Sequence, residues 1–276
     1  MVRSAVNRLK TAIRGVGQKR ALYKLPHFGK AATEYLKSAS DIDLASIMRA
    51  EKSNDGWLEA SKRIEMVMPI PDMTTGGVNP GDRRALYYLV RALGPRSVLE
   101  IGTCVGASTF AIAMAMNDAA PKDDKRLETV DIIDVNDLAK APWKSGGLLR
   151  TPREAGKLLE LEFVQFTTSD SEHLLSTTER SFDLIFLDGL HLATQVYKEV
   201  PLALKRLSPG GIVVLHDYFP NGVPLWPASA VNVGPWLAIE RLKNEIAGIT
   251  VLPLGALPWP TKLNSNVTSL AVVAKL

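Results

Sequence analysis

A single cysteine, Cys104, stands in 276 residues, so neither an internal disulfide nor a zinc site built on several cysteines is available. No apolar run approaches the roughly 18–20 residues that span a bilayer, and no transmembrane segment is expected. Met1 to Arg20 hold no uninterrupted apolar stretch, so no secretory signal is expected either. These absences together point to a reducing, cytoplasmic setting. Internal repeats and low-complexity tracts are absent as well, which excludes solenoid and array architectures. With 46% hydrophobic and 22% charged residues the chain reads as a soluble globular protein, long enough for one large α/β domain and a modest appendage.

What is present is unevenly charged. The net charge is +4, but the segment through Lys37 carries nine Lys and Arg against one acid, Glu34, and the remainder is acidic. Val2, Val6, Leu9, Ile13 and Val16 recur every three or four residues, the pattern of a basic amphipathic helix. Three readings of it stay open: a solvated helix packed on its own domain, peripheral contact with a membrane surface, and an organelle transit peptide. Nucleic acid is not an expected partner, because the basic stretch lacks interleaved aromatics and the rest of the chain is acidic. A homo-oligomer is compatible with the sequence.

The first ~75 residues read as helices joined by short breaks at Asp41-Ile-Asp-Leu and Ser53-Asn-Asp-Gly. Residues 67–81, rich in Pro, Met and Gly, lead into the main domain, which gives an N-terminal helical extension or cap at 1–77 and a domain at 78–276. A helix fits Asp82 to Leu93 and is ended by Gly94-Pro95. Strand-like runs follow at Val98–Ile101, Leu127–Ile133, Phe163–Thr167, Phe182–Leu187 and Ile212–Leu215, alternating with helical ones. Pro201 is expected to kink the helix after the fourth run, and Ser208-Pro-Gly-Gly to turn sharply into the fifth. Ile249–Leu254 and Leu270–Ala274 have no room for a useful helix between them, so an antiparallel closing pair is expected. The pattern implies a Rossmann-like, doubly wound α/β fold of seven strands with an antiparallel C-terminal strand. Ligands in such sheets bind beyond the carboxyl ends of the strands.

Those ends are acidic or carry histidine. Glu100 ends the first strand, Asp131 and Asp134 the second, and Asp170 follows the third. Asp188-Gly-Leu-His191 ends the fourth, and His216-Asp217 the fifth. Between strand and helix, Glu100-x-Gly102-x-x-x-Gly106 is a tight glycine turn with an acid in it. That acid would repel a pyrophosphate and suits a ligand with a cationic head. Thr109 stands where a third dinucleotide-type glycine would be, which argues against an NAD-type oxidoreductase on a related sheet. A non-catalytic scaffold that keeps the fold is the other alternative.

The Glu100–Gly106 turn and the acid after it are similar to the first two motifs of class I S-adenosylmethionine-dependent methyltransferases. Leu-Ser-Pro-Gly-Gly-Ile-Val-Val-Leu-His-Asp resembles their fifth strand. Phe182-Asp-Leu-Ile-Phe-Leu-Asp-Gly-Leu-His resembles the fourth of small-molecule O-methyltransferases of the catechol and macrocin type. The resemblance spans roughly 78–276 and implies S-adenosyl-L-methionine as cofactor and a small-molecule hydroxyl as acceptor. By that resemblance Gly102, Thr103, Gly106 and Ser108 would meet the methionine portion, with Glu100 near its ammonium or ordering the loop. Asp131, favoured over Asp134, would take the ribose hydroxyls; Ser169 and Asp170 would face the adenine. Asp188 belongs to both cofactor and acceptor sites, with His191 and His216 as candidate bases. Mg2+ or another divalent cation would sit on Asp188 and Asp217, although His-Asp departs from the Asp-Asn of the catechol type. Cys104 is expected to be a packed residue, and His27 and His173 to lie on the surface. The segment Tyr218–Pro235 with Trp226, together with Trp236, is expected to roof the acceptor pocket; Ala139–Arg153 with Trp143 is a second candidate wall.

Overall fold

Strands β1 Ser97–Ile101, β2 Arg126–Asp131, β3 Val164–Thr168, β4 Phe182–Leu187, β5 Leu207–Leu215, β6 Ile249–Pro253 and β7 Ala271–Lys275 pair in the order β3-β2-β1-β4-β5-β7-β6. The computed structural model describes residues 15–29, 33–69, 77–119, 125–139, 142–145, 147–226, 231–262 and 264–276. Neighbours from β3 to β5 are parallel, and β7 runs antiparallel to both β5 and β6. The expected Rossmann-like sheet with its antiparallel C-terminal strand is therefore present. Strand order reverses between β1 and β4, which opens the ligand crevice at their carboxyl ends.

Alternation along the strands sorts side chains onto two faces. Val98, Leu184, Phe186, Ile212 and Val214 pack with helices α1 Glu51–Val67, α2 Pro80–Leu93 and α3 Ala107–Ala119. Leu99, Ile101, Ile185, Val213 and Leu215 pack with α6 Ala193–Leu204 and α7 Gly234–Glu245. The shorter helices α4 Pro152–Leu158 and α5 Ser171–Thr177 flank β3 in sequence. Glu100 lies between Leu99 and Ile101, so the period of two turns its carboxyl into the α2–α3 face. Asn79 caps α2 by accepting the Asp82 N–H, Pro80 fits its first turn, and Gly94 ends it at φ +57°.

Three local expectations change. Ser53-Asn-Asp-Gly is interior to α1 rather than a break. A Cβ at Gly56 would collide with the Tyr87 hydroxyl, so this glycine permits close approach of α1 to α2 instead of turning the chain. Ser208-Pro-Gly-Gly is a bulged part of β5, with the register shifting between Phe182 and Leu184. The N-terminal segment pairs with that bulge, through Gly210 N to Tyr35 O (2.8 Å) and Lys37 N to Gly211 O (2.9 Å). Helix α6 continues through Pro201, with Val196, Val200 and Leu204 buried along it.

Residues 15–22 are helical. Arg241 of α7 holds the chain just beyond them, donating to the carbonyls of Leu22, Leu25 (2.9 Å) and Pro26 (3.1 Å). Of the periodic set read as a basic helix, Val2, Val6, Leu9 and Ile13 lie outside the described residues. Among the described residues no helix is long and apolar enough to cross a membrane.

Candidate active site

Beyond β1 the backbone turns through Gly102 (φ +101°), Cys104 (φ +48°) and Gly106 (φ +82°) into α3. The Gly102 N–H bonds Val130 O at 2.8 Å and the Gly106 N–H bonds Thr103 O at 2.7 Å. A Cβ at Gly102 would collide with the Asp188 carbonyl, because the ends of β1 and β4 touch there. Gly102→Ala is expected to lower the unfolding free energy in urea by about 3 kcal/mol, from left-handed strain plus overlap. Gly147→Ala has the same sign of φ and open space around the new methyl. It should cost only about 1 kcal/mol, and equal losses would remove the overlap argument.

Glu100 lies fully buried beneath this turn rather than on a cavity wall. It accepts from Thr109 Oγ1 (2.5 Å) and Thr129 Oγ1 (2.6 Å), while Thr103 and Thr129 share a 2.7 Å hydrogen bond. Of its two expected roles, the geometry is that of ordering the loop. Burial pushes its carboxyl up from 4.5 to about 7, against the hydroxyl donors that favour the anion. A raised carboxyl contributes stability that is complete below pH 4.5 and is lost as pH rises through about 7. The loss has an upper size of about 3 kcal/mol. Glu100→Gln should therefore flatten the decline in urea-unfolding free energy between pH 5 and pH 8; an unchanged slope would refute this assignment.

A cavity of about 660 Å³ opens over the ends of β1 to β5. Gly102, Thr103, Cys104 and Ser108 line its middle, and Asp131, Ser169 and Asp170 line one end. The Asp131 carboxylate accepts the Cys104 N–H (2.9 Å) and the Ile133 N–H (3.2 Å), so it is fixed against the glycine turn. Asp134 does not line the cavity and instead accepts the Asn136 N–H at 2.9 Å. Asp170 caps α5, accepting the His173 N–H at 3.0 Å. Burial and the Asp131 charge push the Cys104 thiol up, away from thiolate chemistry.

Asp188, His191, His216 and Asp217 line the other end. His191 Nε2 is 3.6 Å from both Asp188 Oδ1 and Asp217 Oδ2. His216 is more enclosed, with Nδ1 2.8 Å from Asp188 Oδ1 and Nε2 3.3 Å from Asp82 Oδ2. Burial alone would depress the His216 pKa, but Asp188, Asp217 and Asp82 raise it well above 6.5. For Asp217, burial opposes ionisation and is outweighed by His216 and His191, by the Asn232 amide and by Lys262, which hold it below the ordinary carboxylate range.

Among the described residues of the two expected walls, 218–235 and 139–153, none lines the cavity; residues 140–141, 146 and 227–230 lie outside the described ones. Trp226 packs on Phe219 (5.5 Å between centroids) in a small cluster with Val231 and Val233, outside the cavity lining. Trp236 packs on the α6–α7 core and Trp143 on the opposite one. Indoles there are better buried than left over a polar cavity. Lys262 reaches the cavity instead, its ammonium 4.0 Å above the Trp226 ring. Asn79, Gln195, Glu199 and Lys262 line the cavity but carry no local motif. Asp82 stands behind His216, and Asn79-Pro-Gly-Asp reads in sequence only as a helix start.

Residues 99–218 match a family model described as a methyltransferase domain. A Mycobacterium avium protein described as a candidate O-methyltransferase is 27% identical over 176 residues, covering 63% of this chain and 68% of its own length. A similarly described protein of Mycolicibacterium vanbaalenii is 26% identical over 153 residues, covering 52% and 57%. Among solved structures, the Streptomyces achromogenes O-methyltransferase TomG, in complex with S-adenosylmethionine, superposes with a TM-score of 0.52 at 19% identity, covering 80% of this chain and 89% of that one. A Bacillus cereus O-methyltransferase in complex with S-adenosylhomocysteine gives 0.51 at 19%, covering 86% and 97%. The solved structures share the fold, and residues 99–218 are similar to a methyltransferase domain like that of the curated proteins described as candidate O-methyltransferases.

Proposed function

We propose that this protein methylates a hydroxyl oxygen of a small molecule held between Asp188, His191 and Asp217. The observation that carries this reading is the clustering of two histidines and two acids at one end of a cavity whose other end presents Asp131. Its volume is in the range of small-molecule sites.

The glycine cradle fits the cofactor in that Gly102 and Gly106 let the chain turn at positive φ, so that the stretch Gly102–Cys104 lies along the cavity. The two Asp131 oxygens would take the two ribose hydroxyls. Ser169 and Asp170 would meet the adenine, and Thr103 and Ser108 the methionine portion. Bound there, S-adenosylmethionine supplies a methyl group on a sulfonium, already electrophilic. What remains for the protein is alignment and removal of the acceptor proton.

Both ring nitrogens of His216 face carboxylates, so His191, with its side chain 26% exposed, is the base that takes that proton. Asp188 and Asp217 balance the charge it gains. A divalent cation is the alternative to a histidine base at this end: Asp188, His191 and His216 offer atoms within 4.8 Å of one another, and a cation held there would take His191 as a ligand instead of a base. There it would supply Lewis acidity to the hydroxyl. Residues 1–77 would act as an extension bracing the domain, as where Gln18 Oε1 accepts the Ala193 N–H at 2.8 Å, two residues past His191.

Incubation with methyl-13C S-adenosylmethionine and a panel of phenols, hydroxy acids and sugars tests the reading. A 13C-labelled O-methyl product is expected; labelling confined to nitrogen or carbon would contradict it.

A further inference from the structure

We infer that Asp82 is a positioning residue for methyl transfer, holding His216 from behind so that its ring keeps Asp188 in place at the acceptor end. This rests on the proposed reading of that end.

Asp82 is the third residue of α2, where an acid ordinarily serves the helix N-terminus. Its surroundings ask for more than that. The carboxylate is 0% exposed, and burying one costs several kcal/mol unless it is paired. Oδ2 accepts from Asn79 Nδ2 at 2.7 Å and lies 3.3 Å from His216 Nε2, while Oδ1 has no hydrogen-bond partner. A capping box would instead turn an acid here back to the backbone N–H of Asn79. The cap itself is made by the Asn79 side chain on the Asp82 N–H, so the Asp82 carboxylate is not needed for it.

The opposite nitrogen of the ring, Nδ1, lies 2.8 Å from Asp188 Oδ1, a charge contact rather than an aligned hydrogen bond. The ring packs edge-on to Phe186, 6.4 Å between centroids. A carboxylate–imidazole–carboxylate chain thus links α2 to the end of β5 and then to the end of β4. Asp188 is where this chain meets the reaction: its carboxylate faces His191, and its carbonyl abuts Gly102. Without Asp82 the ring loses one of its two polar anchors, and Asp188 loses the partner that orients it. The cofactor residues Asp131, Ser169 and Asp170 make no part of this chain, and Asp188 meets the cofactor cradle through its backbone carbonyl rather than the carboxylate that His216 holds, so cofactor affinity should not follow.

The test compares full-length wild type, Asp82→Asn and Asp82→Ala. An Asn carbonyl in the place of Oδ2 can accept from both Asn79 and His216; Ala can accept from neither. Long-range 1H–15N spectra, with His216→Gln for assignment, read the ring directly. Wild type should show a His216 Nε2–H proton at low field, slow to exchange; its absence would overturn the inference without any variant. In Asp82→Ala the ring signals should move, and in Asp82→Asn they should stay. With an acceptor turned over in the labelled-methyl panel, Asp82→Ala should lower kcat about 10–100-fold, the scale of a small misplacement. Its KM and its affinity for S-adenosylhomocysteine by calorimetry should hold, and Asp82→Asn should restore most of kcat. Unaltered kcat in Asp82→Ala, or equal losses in both variants that track S-adenosylhomocysteine affinity and Tm, would overturn the positioning role. If the panel yields no methylated product, the proposed function fails on its own, while the ring spectra still decide whether Asp82 holds His216.

Discussion

Asp131→Ala is expected to weaken S-adenosylhomocysteine binding by about 3–4 kcal/mol, or roughly 100–1,000-fold, in a calorimetric titration. Two losses add in that figure. The carboxylate would accept from both ribose hydroxyls, and hydrogen bonds to a charged group contribute more than neutral ones. It also accepts the backbone N–H of Cys104 at 2.9 Å, so its removal frees the glycine turn against which the ligand lies. Asp131→Asn keeps an acceptor for the turn and should lose only about tenfold. Asp134→Ala is the control, since Asp134 bonds Asn136 away from the cavity; its affinity should equal that of wild type. If Asp134→Ala is the damaging variant, the cofactor has been placed in the wrong register.

His191→Ala should lower kcat by about 10²–10⁴, the usual contribution of a general base, and leave S-adenosylhomocysteine affinity as it was. The separation follows from place. His191 faces Asp188 and Asp217 at 3.6 Å each, at the end of the cavity away from Asp131. His191→Gln keeps bulk and a hydrogen-bonding group but takes up no proton, and it should be nearly as slow. A Gln variant with wild-type kcat would show that proton removal happens elsewhere. A parallel loss of cofactor affinity would instead point to a structural role for His191 near α6.

Much of this site is legible in the sequence because most strands announce their own end. A short apolar run that stops at Asp131, Asp188 or His216-Asp217 places those residues at the carboxyl end of the sheet by topology alone. The buried position of Glu100 follows from the alternation of side chains along β1, with Leu99 and Ile101 committed to the other face. Asp82 was illegible because its partner lies 134 residues away, and its local sequence is fully explained by a helix cap. Lys262 and Glu199 were hidden for the same reason, since their place on the cavity depends on packing between distant elements. Gly56 misled because a glycine for close approach looks, in one dimension, like a glycine for a turn. Trp226 misled because aromatic content next to a strand end suggested a roof, whereas the indole is buried beside Phe219 and the cavity is met by the lysine stacked on it.

Under the proposed function the cavity is one for a sulfonium nucleoside rather than a dinucleotide, on the Asp131 carboxylate fixed against the glycine turn and on Thr109 standing where a third dinucleotide-type glycine would be. Parallel calorimetric titrations of the wild-type protein with S-adenosylhomocysteine and with NAD+ test that most directly. One S-adenosylhomocysteine per chain, with no saturable heat from NAD+, is the expected result. Saturable NAD+ binding that competes with S-adenosylhomocysteine, or no S-adenosylhomocysteine binding at all, would contradict it.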